Sequence, residues 1–279
     1  MRWTAGEGRR SCDRGSDVTF GSVRPALSFI PVKPKPSPPL PAATHSTAFD
    51  HAIDRLRRRL AEPLPGRDAQ MDIAPSERTF VAPEEARALG SHEGGGLVLI
   101  YPVGGVPHTA LTLRHADLRL HAGQISLPGG RMESGESPCD AALREAWEEL
   151  AIPPDALAVL GMLTPIYIPP THYLLYPTVA ARLERPDFRL QLSEVAELIE
   201  APITDFVGDA NRRVETWDLR GTRRRVPFYA IGPHKVWGAT AMILRELAAV
   251  WVEATQAPLP YLGTVDEDAV DGDGRRVEG

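Results

Sequence analysis

The chain has 279 residues, 43% of them hydrophobic and 24% charged, and its net charge is −6. That length supplies a core for one full α/β or α+β domain, and the mild acidic excess argues against a nucleic-acid or anionic-membrane partner. No apolar run approaches the roughly 20 residues of a membrane-spanning helix. The arginine-bearing N-terminus lacks the apolar stretch of a secretory signal, so a cytoplasmic location is expected. Cys12 lies in a polar segment and Cys139 in a glutamate-rich one, and no disulfide framework is evident.

Residues 1–45 are rich in Gly, Ser and Arg and then in proline, with PVKPKPSPPLP over 31–41. Such a segment favours extended, solvated backbone, so a disordered leader is expected, with a PxxP ligand as the other reading. One folded domain is expected over 46–257. Phe49, Ile53, Leu56 and Leu60 repeat at helical spacing, with Ser46 or Thr47 as cap and the neighbouring arginines on a solvated face. Residues 64–93 read as mostly loop. A hairpin follows, with strands at 97–102 and 109–114 and a Gly104–Gly105 turn. A helix is expected at 138–150, then strands at 157–163 and 173–183, separated by PIYIPPTH. Residues 193–200 fit a short helix or an extended segment. ETWDLRGTRRRVPFYAI reads as a hairpin turning at Arg220–Gly221, and a last helix runs from Gly238 to Glu253 with Leu244, Leu247 and Trp251 on one face. Residues 264–279 are acidic and glycine-rich and are expected to be a disordered tail; their DGDG lacks the twelfth-position glutamate of a calcium loop. Strands outnumber helices and do not alternate with them strictly, which points to an α+β fold with a mixed sheet.

The stretch SLPGGRMESGESPCDAALREAWEELAI, residues 126–152, gathers Glu145, Glu148 and Glu149 behind two glycines and beside Arg144. Ser137 is a good N-cap, Pro138 suits the first helical position, and Asp140 completes a capping box. At about 100° per residue the three glutamates fall within roughly 100° of arc. Cys139, Leu143, Ala146, Trp147 and Leu150 project to the other side, which is expected to pack. Ala141 and Ala142 flank the acidic side and are expected to leave space there. Like charges on one helix face repel, and a hard divalent cation such as Mg²⁺ or Mn²⁺ removes that cost. Arg144 can pin a carboxylate by a bidentate pair, and Gly129 and Gly130 allow close backbone approach, with a carbonyl available to a metal. A solvated helix face is the competing reading.

The spacing is more specific. From Gly130, five residues lead to Glu136, seven more to Arg144–Glu145, and two more to Glu148–Glu149. This resembles the box of the Nudix family, hydrolases of a diphosphate linked to another moiety. Ala151 stands where that box has glycine, and Ala146 where it usually has a larger aliphatic residue. The resemblance implies an α/β/α sandwich with a mixed sheet. It implies Mg²⁺ or Mn²⁺ held by Glu145, Glu149 and Glu148 with the backbone of Gly129, and Glu148 or Glu194 as general base, so that Glu145, Glu148, Arg144 and Glu194 form the catalytic set. Upstream, LTLRHADLRLHAGQISLPGG (111–130) is similar to the motif of coenzyme A pyrophosphatases, through Leu111, Thr112, Arg114, Arg119, His121, Gly123, Pro128, Gly129 and Gly130; His115 and Leu127 depart from it. That similarity covers roughly residues 48–255. It implies a coenzyme A-class substrate, a small-molecule diphosphate, contacted by Arg114, Arg119, His121, Gly130 and Glu136. Another nucleoside diphosphate derivative such as ADP-ribose, or a non-catalytic ligand-binding module on the same fold, are the alternatives; the intact glutamate set disfavours the module.

Overall fold

Leu97, Val98, Leu99, Ile100 and Tyr101 are all fully buried. An unbroken apolar run of this kind is what a strand covered on both faces requires. In the computed structural model, which describes residues 29–31, 47–117 and 122–255, this strand is the centre of the molecule. In chain order the elements are β1 (Phe29–Pro31), α1 (Thr47–Leu60), α2 (Arg67–Asp72), α3 (Pro83–Ala88), β2 (His92–Val103), β3 (Val106–Arg114), β4 (Ile125–Ser126), β5 (Gly129–Arg131) and α4 (Pro138–Leu150). They continue with β6 (Ala158–Met162), β7 (Ile166–Ile168), β8 (Tyr173–Ala181), β9 (Arg189–Gln191), β10 (Val195–Pro202), β11 (Arg212–Leu219), β12 (Thr222–Ile231), β13 (His234–Trp237) and α5 (Gly238–Thr255).

The main sheet has the order β10-β3-β2-β8-β6, with β4, β5 and β7 added to β3, β2 and β8. Strands β2 and β8 run parallel and the other pairs antiparallel, so the sheet is mixed. The β2–β3 hairpin closes with Val103 opposite Val106. Its two loop residues, Gly104 and Gly105, have φ of 59° and 83°, the positive values a primed two-residue turn demands. Period-two alternation along β2 sends Leu97, Leu99 and Tyr101 to one face, against Ala142, Ala146 and Leu150 of α4. Val98 and Ile100 point to the other face, into the core that holds Phe49 and Leu56 of α1 and Leu244, Leu247 and Trp251 of α5. The result is an α/β/α sandwich. A separate three-stranded meander, β11-β12-β13, packs Tyr229 and Val236 onto the α5 side.

Several expectations need correction. Residues 64–93 contain two short helices and the start of β2 rather than loop alone. The stretch between the expected strands 157–163 and 173–183 contributes β7. Of residues 193–200, the part from Val195 on is extended, within β10. Phe29–Pro31, inside the expected leader, pairs antiparallel with β9; the rest of that leader and the acidic tail lie outside the described residues, and the capping side chains of Ser46 and Thr47 are not among those described. Among the described residues no helix is long and apolar enough to cross a membrane.

Candidate active site

The site begins with glycines. A Cβ on Gly95 would lie 2.6 Å from the Ala142 backbone nitrogen and collide with Pro138 of α4. Gly95 and Gly96 also pair with Gly130 and Gly129 of β5. Only residues without a Cβ let α4, β2 and β5 approach this closely. The first turn of α4 is fixed by its capping box: the Ser137 hydroxyl accepts from the Asp140 N–H at 3.2 Å, and the Asp140 carboxylate accepts from the Ser137 N–H at 3.2 Å.

Docked in this way, α4 turns its carboxylates toward the sheet. Cys139, Ala141, Ala142, Ala146, Glu149 and Leu150 are buried, so Cys139, Ala146 and Leu150 pack as expected and the packed arc widens to take in Glu149. Trp147, expected on the packed side, is 42% exposed. Ala141 and Ala142, expected to border open space, are fully enclosed. Glu145 reaches β5: a Cβ on Gly130 would sit 2.5 Å from its carboxyl carbon.

Arg144 organises the rim. Its Nε and Nη2 donate to the two oxygens of Glu136 at 2.8 and 3.1 Å. Nη1 donates to Glu145 at 2.7 Å and to Glu148 at 3.3 Å, and Nη2 also donates to the Arg131 carbonyl at 3.0 Å. These contacts use all five of its N–H groups. Burial opposes its charge, but the bonds to Glu136 and Glu145 win and raise its pKa. Glu136 is thereby committed to Arg144 and to the Glu133 N–H, at 2.8 Å.

Glu149 is the deepest group, 2% exposed, and its Oε2 has no hydrogen-bond partner. Burial pushes its carboxyl well above the ordinary range; the charge of Glu145 adds to this, Arg114 opposes it, Glu194 reinforces it, and the Gly129 N–H bond opposes it. Glu145 is also raised, by burial first, with Arg144 opposing and Glu148 and Glu194 reinforcing. Glu194, in the turn just before β10, therefore faces the same space as the helix carboxylates, and its carbonyl accepts the His115 N–H at 2.8 Å. Arg114, at the end of β3, completes the ring with a buried Nε that has no partner. Arg119 and His121 lie outside the described residues.

As the side chains stand, no three His, Cys, Asp or Glu groups among the described residues converge as a closed ligand set, because Arg144 draws Glu145 and Glu148 to itself. The chemistry nevertheless suits a hard divalent cation: oxygen donors only, mutual repulsion that a cation relieves, and an orphaned buried carboxylate oxygen.

A family profile described as the NUDIX domain matches residues 97–214. An uncharacterized Nudix hydrolase NudL of Citrobacter koseri is 38% identical over 143 residues, 51% of this chain and 74% of the relative. Its counterpart in Pectobacterium atrosepticum is 33% identical over 180 residues, 64% of this chain and 88% of the relative. The chain belongs to the Nudix hydrolase family. Among solved structures, the Nudix hydrolase RenU of M. smegmatis aligns at 25% identity over 47% of this chain and 78% of its own, with a TM-score of 0.35.

Sequence reasoning did not single out two features of this Nudix hydrolase. One is the run Gly94–Gly96, whose signal was three successive glycines at a strand start. The other is Tyr173, at the start of β8. It carries no local signal and reaches the glutamates only because β8 runs parallel to β2, with Tyr173 opposite His92.

Proposed function

We propose that this Nudix hydrolase is a cytoplasmic, Mg²⁺- or Mn²⁺-dependent diphosphatase that cleaves coenzyme A or a derivative to 3′,5′-ADP and a phosphopantetheine. The observation that carries the metal-dependent part is the coupled set Glu145, Glu149 and Glu194, with Glu149 Oε2 buried and unpaired. Glu145 and Glu149, with Glu148, would hold the cation, whose bound charge would neutralise the diphosphate and acidify a water. Arg144 positions Glu145 and Glu148. Glu194, exposed in the turn that leads into β10, would take the water's proton as that oxygen bonds to phosphorus and the bridging P–O bond breaks. Arg114, at the glutamate cluster, serves the diphosphate itself.

The coenzyme A assignment rests on the similarity over 111–130. Coenzyme A carries a ribose 3′-phosphate that ADP-ribose lacks; Arg114 and Arg119 are the candidates to read it, and with Arg114 assigned to the diphosphate we assign Arg119. A charge-assisted contact of about 1.5–3 kcal/mol corresponds to roughly 10–150-fold in kcat/KM. Coenzyme A, its 3′-dephospho form and ADP-ribose should be compared with each metal and their products identified. Coenzyme A is expected to be preferred over its dephospho form by that factor. Equal cleavage of all three would remove the coenzyme A assignment, and no metal-dependent turnover of any would remove the enzyme reading in favour of a binding module.

A further inference from the structure

Four of the five described tyrosine hydroxyls are hydrogen-bonded. Tyr101 bonds Glu200, Tyr167 bonds His172, Tyr176 bonds Glu93, and Tyr229 bonds the Phe206 carbonyl. Tyr173 is the fifth, and among the described residues its hydroxyl has no hydrogen-bond partner. Its position is nonetheless tightly defined. A Cβ on Gly94 would lie 2.6 Å from the phenol Cζ and would overlap the hydroxyl itself; the same point is pressed by the Gly130 carbonyl oxygen. The phenol thus lies directly on Gly94, with its oxygen beside Gly130, and Gly130 is the residue against which the Glu145 carboxylate rests. Glycine at 94 is what leaves room for it.

The charges it feels are those of the active site. Burial raises the Tyr173 pKa to about 12, with Glu145 reinforcing and Arg131, Arg144 and Arg114 opposing. The hydroxyl therefore keeps its proton at neutral pH and can donate it. Arg131, Arg144 and Arg114 are the cations whose charge reaches the phenol. Arg144 has spent its N–H groups on Glu136, Glu145, Glu148 and the Arg131 carbonyl. Arg114 keeps a buried Nε–H without a partner. A diphosphate brings several oxygen acceptors, and a half-buried phenol kept without a protein partner is suited to meet one of them.

We propose that Tyr173 is a substrate-contacting residue of this hydrolase, its hydroxyl donating to a non-bridging oxygen of the bound diphosphate from the Gly94–Gly130 floor of the site. The proposal rests on the diphosphatase reading above and adds to it a donor from outside the glutamate box and the upstream motif.

Tyr173→Phe tests it, because the ring that fills the space over Gly94 is kept and only the hydroxyl is lost. The variant is expected to match the wild type in thermal midpoint and to lose about 10- to 100-fold in kcat/KM on the substrate the wild type turns over. A purely structural ring would not move affinity for the diphosphate unit. Calorimetric titration with methylenediphosphonate, which cannot be hydrolysed, in the presence of Mg²⁺ should therefore show about 10-fold or more weaker binding to Tyr173→Phe. A variant within twofold of wild type in both kcat/KM and methylenediphosphonate affinity overturns the role of Tyr173 and leaves the diphosphatase reading intact. A wild type that neither cleaves a diphosphate nor binds methylenediphosphonate overturns both.

Discussion

Glu149 keeps a carboxylate oxygen buried with no partner, a state that ordinarily costs about 1–3 kcal/mol. A cation held there, as proposed above, would remove that cost. Glu145→Gln and Glu149→Gln should each lower kcat by about 100-fold or more, since losing a metal ligand removes several kcal/mol of transition-state stabilisation. Without metal, both variants should melt no earlier than the wild type, because a neutral amide relieves the repulsion between these carboxylates. Metal-dependent assays at saturating substrate check the first expectation and metal-free melting the second; near-wild-type rates in both variants would remove these side chains from the reaction. The spacing on the helix foretold that Arg144 and the glutamates would lie together, as its hydrogen bonds to Glu145 and Glu148 show. It did not foretell their direction. A helical wheel gives relative angles, and which arc docks is decided by Gly95 on another element, which lets α4 come down on the sheet. Tyr173 had no signal of its own, since only strand order brings it to Gly94.

Helix α4 has one well-made end and one costly one. Ser137, Pro138 and Asp140 build the N-terminus expected from sequence. At the C-terminus Ala151 adopts φ 57° and ψ 37°, a left-handed conformation that costs a Cβ-bearing residue about 1–2 kcal/mol. The substitution of alanine for the usual glycine of the box was visible; the strain was visible only once the cap geometry was known. Ala151→Gly should relieve it. After the entropy that glycine brings to the unfolded chain, about 0.5–1 kcal/mol, the net gain should be about 0.5–1 kcal/mol in urea unfolding, with kcat unchanged. A loss of stability would show that the methyl packs better than its backbone suffers. Strand β10 was ambiguous for a related reason: its register shifts between Val195 and Glu197. The bulge breaks the alternation of buried and exposed side chains by which a strand is recognised.

The whole molecule divides its labour between two layers. One side of the sheet carries α4 and, at its edge, the carboxylates; the other carries α1, α2 and α5 around most of the apolar core. The mixed sheet was legible from apolar runs and turn glycines, but the tie that holds the second layer was not, because its members are about 80 to 180 positions apart in sequence, a separation that no local pattern spans. Glu246 of α5, fully buried, accepts from Gln70 of α2 at 2.8 Å and from the Thr164 hydroxyl at 2.6 Å and N–H at 3.2 Å. Burial raises its pKa above the ordinary 4.5, and the bonds from Thr164 and Gln70 only partly offset this. A carboxyl with a raised folded value binds its proton more tightly in the fold than in the unfolded chain. Its contribution is therefore full below 4.5 and declines as pH climbs through the raised folded value. Glu246→Gln cannot titrate, and it turns an amide N–H₂ toward groups that are themselves donors. The variant should be less stable by about 1–3 kcal/mol at the acid end of the range in which the protein still folds. The gap should narrow as pH rises through the folded value, as the wild type loses its pH-dependent part and the variant does not. Urea unfolding of both proteins from the ordinary carboxylate range to neutrality reads this directly. A gap that widens with pH would mean that the hydrogen bonds outweigh burial and that Glu246 is held ionised in the core.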